Sequence, residues 1–291
     1  MKIGNARAIL RENGLTPKKG FGQNFLVTEG VVLAIARACV TEAEVGHARV
    51  LEIGAGLGAL TALLLERSSK LVAVERDRDL VPVLKRTFAE PIAEGRIVLL
   101  EADAQTLDLP ALLGDEDAAS PRILCGNLPY QITGRLLEAA VNTAAHLERA
   151  VFMVQDEVAD RLLSRPATKE YGALTVFVRA AFDVKRVCKV SPGSFFPSPD
   201  VTSSVVTLTP TRPRRAHETP AFRTLVRAAF QMRRKTLRNA WHGVFPSPEA
   251  LEVAAKAAGV SLQARGETLD VDDFARMAAQ LGAPDAAQLP S

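Results

Sequence analysis

The stretch LEIGAGLGALT, residues 51–61, carries the chain out of an apolar run, RVLEIG, and into LGALTALLLERS, whose apolar residues recur at helical spacing. Between the two runs stand three glycines, Gly54, Gly56 and Gly58. Glycine lets backbone approach a ligand closely, and a helix that starts there offers N–H groups with no partner inside the helix. With Ala59 the loop also satisfies GxGxxG/A, the fingerprint of dinucleotide-binding folds. Strand, glycine turn and helix in that order predict the first unit of an α/β sheet. A tight turn without function is the competing reading.

The same alternation continues outward. KLVAVE, RIVLLEADA, RILCGNLP and RAVFMVQDE read as strands, with RDLVPVLKRTF and GRLLEAAVNTA as helices among them. Pro82 falls in a first helical turn, where its missing N–H costs nothing. Near-continuous apolar strands separated by helices predict a parallel sheet covered on both faces. FDVKRVCKV and SSVVTLTP, with a proline-rich loop between them, predict an antiparallel pair at one edge. Residues 1–20 read as a short helix and then a basic loop. TPTRPRRAHETP, residues 209–220, has no apolar periodicity and reads as a linker. Beyond it the pattern is helical, with Gly243 and Gly259 as stops. The expected organisation is a catalytic α/β domain over residues 1–210 with a basic N-terminal arm, and a small helical domain over residues 211–291.

The chain has 291 residues, 47% of them hydrophobic, enough for a large core. Its net charge of +3 does not by itself indicate a polyanionic partner, but the distribution is uneven. From Thr211 to Val244 nine basic residues face one acid, Glu218, and the N-terminus is basic as well. Cys39, Cys125 and Cys188 are far apart and the four histidines form no ligand spacing, which argues against zinc, against a zinc deaminase and against a disulfide framework. No apolar run spans a bilayer and no secretory h-region is present, so a soluble cytoplasmic protein without metal is expected.

Ligands of open α/β sheets bind outside the carboxyl ends of the strands. Gly54, Glu75, Asp103 and Asn127 all fall at such ends. Glu75, 21 residues after Gly54, can accept from both hydroxyls of a ribose, whether of NAD or of S-adenosylmethionine. Asp103 can accept from an adenine amino group or simply close a turn. The hexapeptide CGNLPY, residues 125–130, separates the cofactors. The N6 lone pair of adenine is delocalised into the ring, so a methyltransferase helps by accepting hydrogen bonds from the N6 hydrogens. Asn127 offers a side-chain carbonyl, Leu128 a main-chain carbonyl freed by Pro129, and Tyr130 a face for an extruded base, worth roughly 1–3 kcal/mol. A nicotinamide enzyme has no use for that run.

NLPY is similar to the motif of amino-directed DNA and RNA methyltransferases. Together with KKGFGQNFL, LEIGAGLGALT, VERD, EADA, GNLPYQIT, FFPSPDVTSSVV and FRTLVRAAFQMRRKTLRNAW, the chain resembles, from about residue 15 to 277, the bacterial small-subunit rRNA adenine dimethyltransferase family. The resemblance implies a class I methyltransferase fold, Rossmann-like with a seven-stranded, mostly parallel sheet, and S-adenosylmethionine as donor. It implies N6,N6-dimethylation of two adjacent adenosines in a hairpin loop near the 3′ end of 16S rRNA, in an assembling small ribosomal subunit. By motif, Asn24, Leu26, Gly54, Gly56, Glu75, Asp103 and Asn127 would line the donor site, with Glu52 near its methionine end. Phe195 would close over the adenine opposite Tyr130. Gln131, where many relatives have asparagine, is a mild departure.

In FRTLVRAAFQMRRKTLRNAW a continuous helix would place Arg223, Arg227, Arg234 and Arg238 within about 60° of arc, a candidate phosphate-binding face as well as an ordinary solvated one. The rivals are a large-subunit resistance methyltransferase, an assembly factor with a vestigial site, and a nicotinamide dehydrogenase. A monomer is expected.

Overall fold

The apolar runs become strands where the spacing predicts. The computed structural model describes residues 5–114, 120–128 and 130–281. Its strands are β1 (Phe25–Leu26), β2 (Ala48–Ile53), β3 (Ser68–Glu75), β4 (Ile97–Glu101), β5 (Arg122–Asn127), β6 (Arg149–Gln155), β7 (Phe182–Val190), β8 (Phe195–Phe196) and β9 (Ser203–Pro210). Seven of them form one sheet in the order β4-β3-β2-β5-β6-β9-β7. The pairs from β4 to β6 are parallel, and β9 runs antiparallel to β6. Leu51, Ala73, Leu124 and Phe152 are all fully buried, as strands covered on both faces require.

The chain leaves β2 in one direction through β3 and β4, then returns to the other side of β2 as β5. Such a reversal leaves a crevice at the carboxyl ends of the two central strands. Here those ends are the glycine loop and Asn127, because Ile53 lies opposite Gly126 in the parallel register.

Two short segments outside the strands expected from the spacing are paired strands. Phe25 lies opposite Phe196 and Leu26 opposite Phe195, antiparallel. Two residues per strand give too little pattern for period-2 reading, and the partner is about 170 positions away.

The chain divides into two compact units. One comprises residues up to 159 and 183–210; the other comprises residues 160–182 and those from 211 onward. The second unit therefore takes a segment placed in the catalytic domain on sequence. The physical reason lies in its core, where Tyr171, Val176 and Ala180 are buried with Phe222, Trp241 and Phe274. Trp241 Nε1 donates to the Leu225 carbonyl at 2.9 Å, and Tyr171 Oη donates to the Leu269 carbonyl at 2.9 Å. Gly259, with φ +67°, ends the helix Pro248–Ala258 in the left-handed conformation.

The basic stretch is not one helix. A helix runs from Pro220 to Gln231, stops at Met232, and a separate short helix covers Leu237–Ala240. Lys235 N–H donates to the Met232 carbonyl across the intervening turn, at 2.8 Å. Arg234 and Arg238 thus leave the arc computed for a continuous helix. The apolar residues on the two sides of the break stay in helical phase, so periodicity alone could not reveal it.

Gly126 tests the central register. A Cβ there would meet the Ile53 carbonyl and Cβ, neighbours that belong to an interior strand and cannot swing away. Gly126→Ala is expected to destabilise the protein by about 1–3 kcal/mol, read from the midpoint of urea denaturation.

Candidate active site

One cavity opens at the carboxyl ends of the central strands. It is lined by Asn24, Leu26, Glu52, Gly54, Gly56, Glu75 and Asp103 and continues over Asn127, Leu128 and Tyr130. Pro129 lies outside the described residues. Phe195 is not among the lining residues: its side chain is 4% exposed and packed with Leu26 and Val205. The β1–β8 pairing sets it opposite Leu26, with its ring buried.

The glycine loop is shaped by its backbone. Gly54 and Gly56 have φ of +79° and +60°, values costly for any residue with a Cβ. A Cβ on Gly56 would sit 3.3 Å from the Phe25 ring. The loop bends around the Glu75 carboxylate, whose Oε2 accepts from Gly56 N–H at 2.7 Å while Oε1 accepts from Asp77 N–H at 2.7 Å. Burial raises the Glu75 pKa, and those N–H groups oppose the rise.

Glu52 is 1% exposed on β2. Burial, with a smaller contribution from the Glu75 charge, pushes its pKa up to about 7 against the opposing hydrogen bond from Thr61 Oγ1 at 2.7 Å. Two buried carboxyls in one cavity, neither facing a lysine or arginine at ion-pair distance among the described residues, suit a ligand with positive charge at one end and hydroxyls at the other. Asp103 caps a short turn, accepting from Gln105 N–H at 3.0 Å, and its second oxygen lies 3.5 Å from Arg76.

Asn127 ends β5. Its Nδ2 donates to the Asn24 carbonyl at 3.1 Å, which identifies Oδ1 as the acceptor end of the amide. Leu128 N–H still donates to the Met153 carbonyl at 3.2 Å, so the ladder persists one residue past the strand. Tyr130 Oη and Ser203 Oγ are 2.8 Å apart, a bond that pins the ring to the start of β9.

Sequence reasoning missed several lining residues. Arg76 stands over the Phe21 ring, 5.3 Å from its centroid, and both line the cavity with Gln23. Asn5, Ala6 and Ile9, from the start of the helix Ala6–Glu12, line it too. Phe21, Gln23 and Arg76 lie inside the quoted stretches KKGFGQNFL and VERD, so their neighbourhood was visible but their roles were not. Among the described residues no group of three or more His, Cys, Asp or Glu is placed to hold a metal ion. No described helix is long and apolar enough to cross a membrane.

Comparison with known proteins agrees with this architecture. The family described as ribosomal RNA adenine dimethylase matches residues 14–282. A ribosomal RNA small subunit methyltransferase A from Anaeromyxobacter sp. (strain K) is 45% identical, over 95% of this chain and 97% of its own. The protein of that name from Clostridium acetobutylicum is 36% identical, over 97% and 99%. Among solved structures, a dimethyladenosine transferase from Plasmodium falciparum superposes with TM-score 0.69 at 25% identity, over 87% of this chain and 95% of its own. The 23S rRNA methyltransferase ErmE superposes with TM-score 0.62 at 25% identity, over 89% and 100%.

The raised pKa of Glu52 makes stability depend on pH. The unfolded chain releases this proton near 4.5, whereas the folded protein holds it to about 7. The folded state therefore binds more protons between those values, and its stability falls as pH rises through that window. Glu52→Gln removes the titration. Urea denaturation of the ligand-free protein should show the variant gaining on wild type as pH climbs from about 5 to about 8. An unchanging difference would contradict the assignment.

Proposed function

The chain belongs to the ribosomal RNA adenine dimethylase family and is an S-adenosylmethionine-dependent rRNA adenine dimethyltransferase, and we propose that its targets are two adjacent adenosines in the 3′-terminal hairpin loop of 16S rRNA. The observation that carries the reading is the Asn127 amide, oriented by Asn24 so that an oxygen acceptor stands at the strand end beside the glycine loop. We place the enzyme, as a cytoplasmic monomer, on the assembling small subunit, where it contributes to subunit biogenesis.

S-adenosylmethionine, when bound, supplies a methyl group on a positively charged sulfur. The residues present suit it. Glu75 has a carboxylate fixed by two backbone N–H groups, with lone pairs left for ribose hydroxyls. Asp103 would accept from the adenine amino group of the donor, and Asn24, Leu26, Gly54 and Gly56 would wall its remainder. Glu52 would lie near the cationic methionine end and lose its proton there.

On the substrate side, Asn127 Oδ1 and the Leu128 carbonyl would accept from the N6 hydrogens of the target adenine. Accepting both favours a pyramidal nitrogen and localises its lone pair. Tyr130 would stack on the extruded base, worth roughly 1–3 kcal/mol, against an unpairing cost that is least in a loop. Pro129 shares the motif and belongs to the same proposal. For Phe195 to close over the base opposite Tyr130, its buried ring would have to become exposed.

The choice of the small subunit rests on the relatives: those named for the small subunit are 35–45% identical over nearly the whole chain, whereas ErmE is 25% identical. The helical unit would grip rRNA phosphate. Of the four proposed arginines, Arg227 and Arg234 are exposed without an ion-pair partner among the described residues, as is Lys235. Arg223 pairs with Glu218 at 2.5 Å and Arg238 with Glu252 at 2.5 Å, so in those two a carboxylate already offsets part of the charge that a phosphate would meet.

Primer extension on rRNA from under-methylated subunits treated with enzyme and donor should stop at two adjacent adenines of 16S rRNA. Stops confined to large-subunit rRNA would reject the proposal. Arg227→Ala and Arg234→Ala should each weaken rRNA binding and lower the slope of log K against log salt by about 1, in filter binding. An unchanged slope would remove those arginines from the interface.

A further inference from the structure

Lys18, Gln23 and Asp77 close a ring beside the cavity. Lys18 Nζ donates to Asp77 Oδ1 at 2.5 Å, and Gln23 Nε2 donates to Asp77 Oδ2 at 2.6 Å. The backbone N–H of Lys18 donates to Gln23 Oε1 at 2.8 Å, which completes the circuit. The Asp77 side chain is 3% exposed, yet both of its oxygens are satisfied, mostly by donors from one distant segment. Burial alone would raise its pKa, but the Lys18 ammonium and the other donors hold it below the usual carboxylate value. The ring therefore contains a charged carboxylate, and it ties residues 18–23 to the end of β3.

Asn24, the residue after this tied segment, offers the carbonyl that accepts from Asn127 Nδ2. Among the described residues the Asn127 side-chain amide makes no other hydrogen bond, and a carboxamide is nearly symmetric in shape, so this acceptor decides which end faces which way. On its other side Asp77 donates its backbone N–H to Glu75. One residue thus stands a single hydrogen bond from the carboxylate proposed for the donor's ribose and a short chain of bonds from the amide proposed for the target amine.

We infer that Asp77, through its ring with Lys18 and Gln23, is a positioning residue that sets the Asn24 carbonyl and so presents Asn127 Oδ1 as an acceptor. The inference rests on the proposed role of Asn127. It differs from a merely structural role in one respect: the effect of Asp77 on rate runs through Asn127. Residues that act as a unit are non-additive, whereas independent ones add.

The test is single-turnover methyl transfer to under-methylated small subunits, at saturating S-adenosylmethionine, with denaturation midpoints measured in parallel. Asp77→Asn and Lys18→Met should each slow transfer about 10–100-fold, the scale of a misplaced catalytic group, while Lys18→Arg stays within about threefold of wild type. In an Asn127→Ala background the Asp77→Asn change should cost less than about twofold more. An equal cost in both backgrounds, or a wild-type rate for Asp77→Asn, overturns the inference. A full rate for Asn127→Ala alone would instead sink the reading of the active site on which it stands. Should Asp77→Asn not fold, Lys18→Met, whose native side chain is 36% exposed, carries the same comparison in both backgrounds.

Discussion

The site depends on how β5 lies against β2. Gly126 faces Ile53 with no room for a side chain between them, and this close approach puts the last residue of β5 next to the first glycine of the loop that follows β2. A Cβ on Gly54 would lie 3.5 Å from the Asn127 carbonyl. The group proposed to hold a nucleophile and the loop proposed to hold an electrophile are therefore neighbours through backbone geometry alone. Side chains on flexible loops would need a separate device to hold the two reactants at that distance, and positioning is where much of the rate of such a transfer arises.

Electrostatics follow from the same placement. Glu52 and Glu75 are withdrawn from water at the centre of the sheet, a state that costs free energy unless a partner offsets it. Backbone N–H groups do this for Glu75, while Glu52 has one hydroxyl and keeps a proton to about 7. A cation placed beside Glu52 would offset the remaining cost, so the ligand-free cavity favours a ligand that carries positive charge there.

Much of this was legible in the chain. The strand–loop–helix alternation is local, and each of the strand ends at Gly54, Glu75, Asp103 and Asn127 could be placed from its own neighbourhood. What escaped is long-range or phase-ambiguous. The ring of Lys18 and Gln23 with Asp77 joins residues more than fifty positions apart, and no spacing rule announces it. Phe195 reads as a ring over the substrate but sits in a strand pair that only the fold creates. Residues 160–182 fall inside the span 1–210 expected for the catalytic domain, and nothing in their own spacing says that they pack with the helical unit instead. The turn at Met232 leaves the apolar phase unbroken, so four arginines that share a face on a helical wheel are distributed over two helices and a turn.

Central to the account is that an exocyclic amine, and no other atom of the nucleotide, receives the methyl groups. Mass spectrometry of nucleosides from small-subunit rRNA, after incubation with the enzyme and isotopically labelled S-adenosylmethionine, reads that atom directly. The account predicts that the label is recovered in N6,N6-dimethyladenosine. Label recovered on a ribose hydroxyl or on a ring carbon would contradict it.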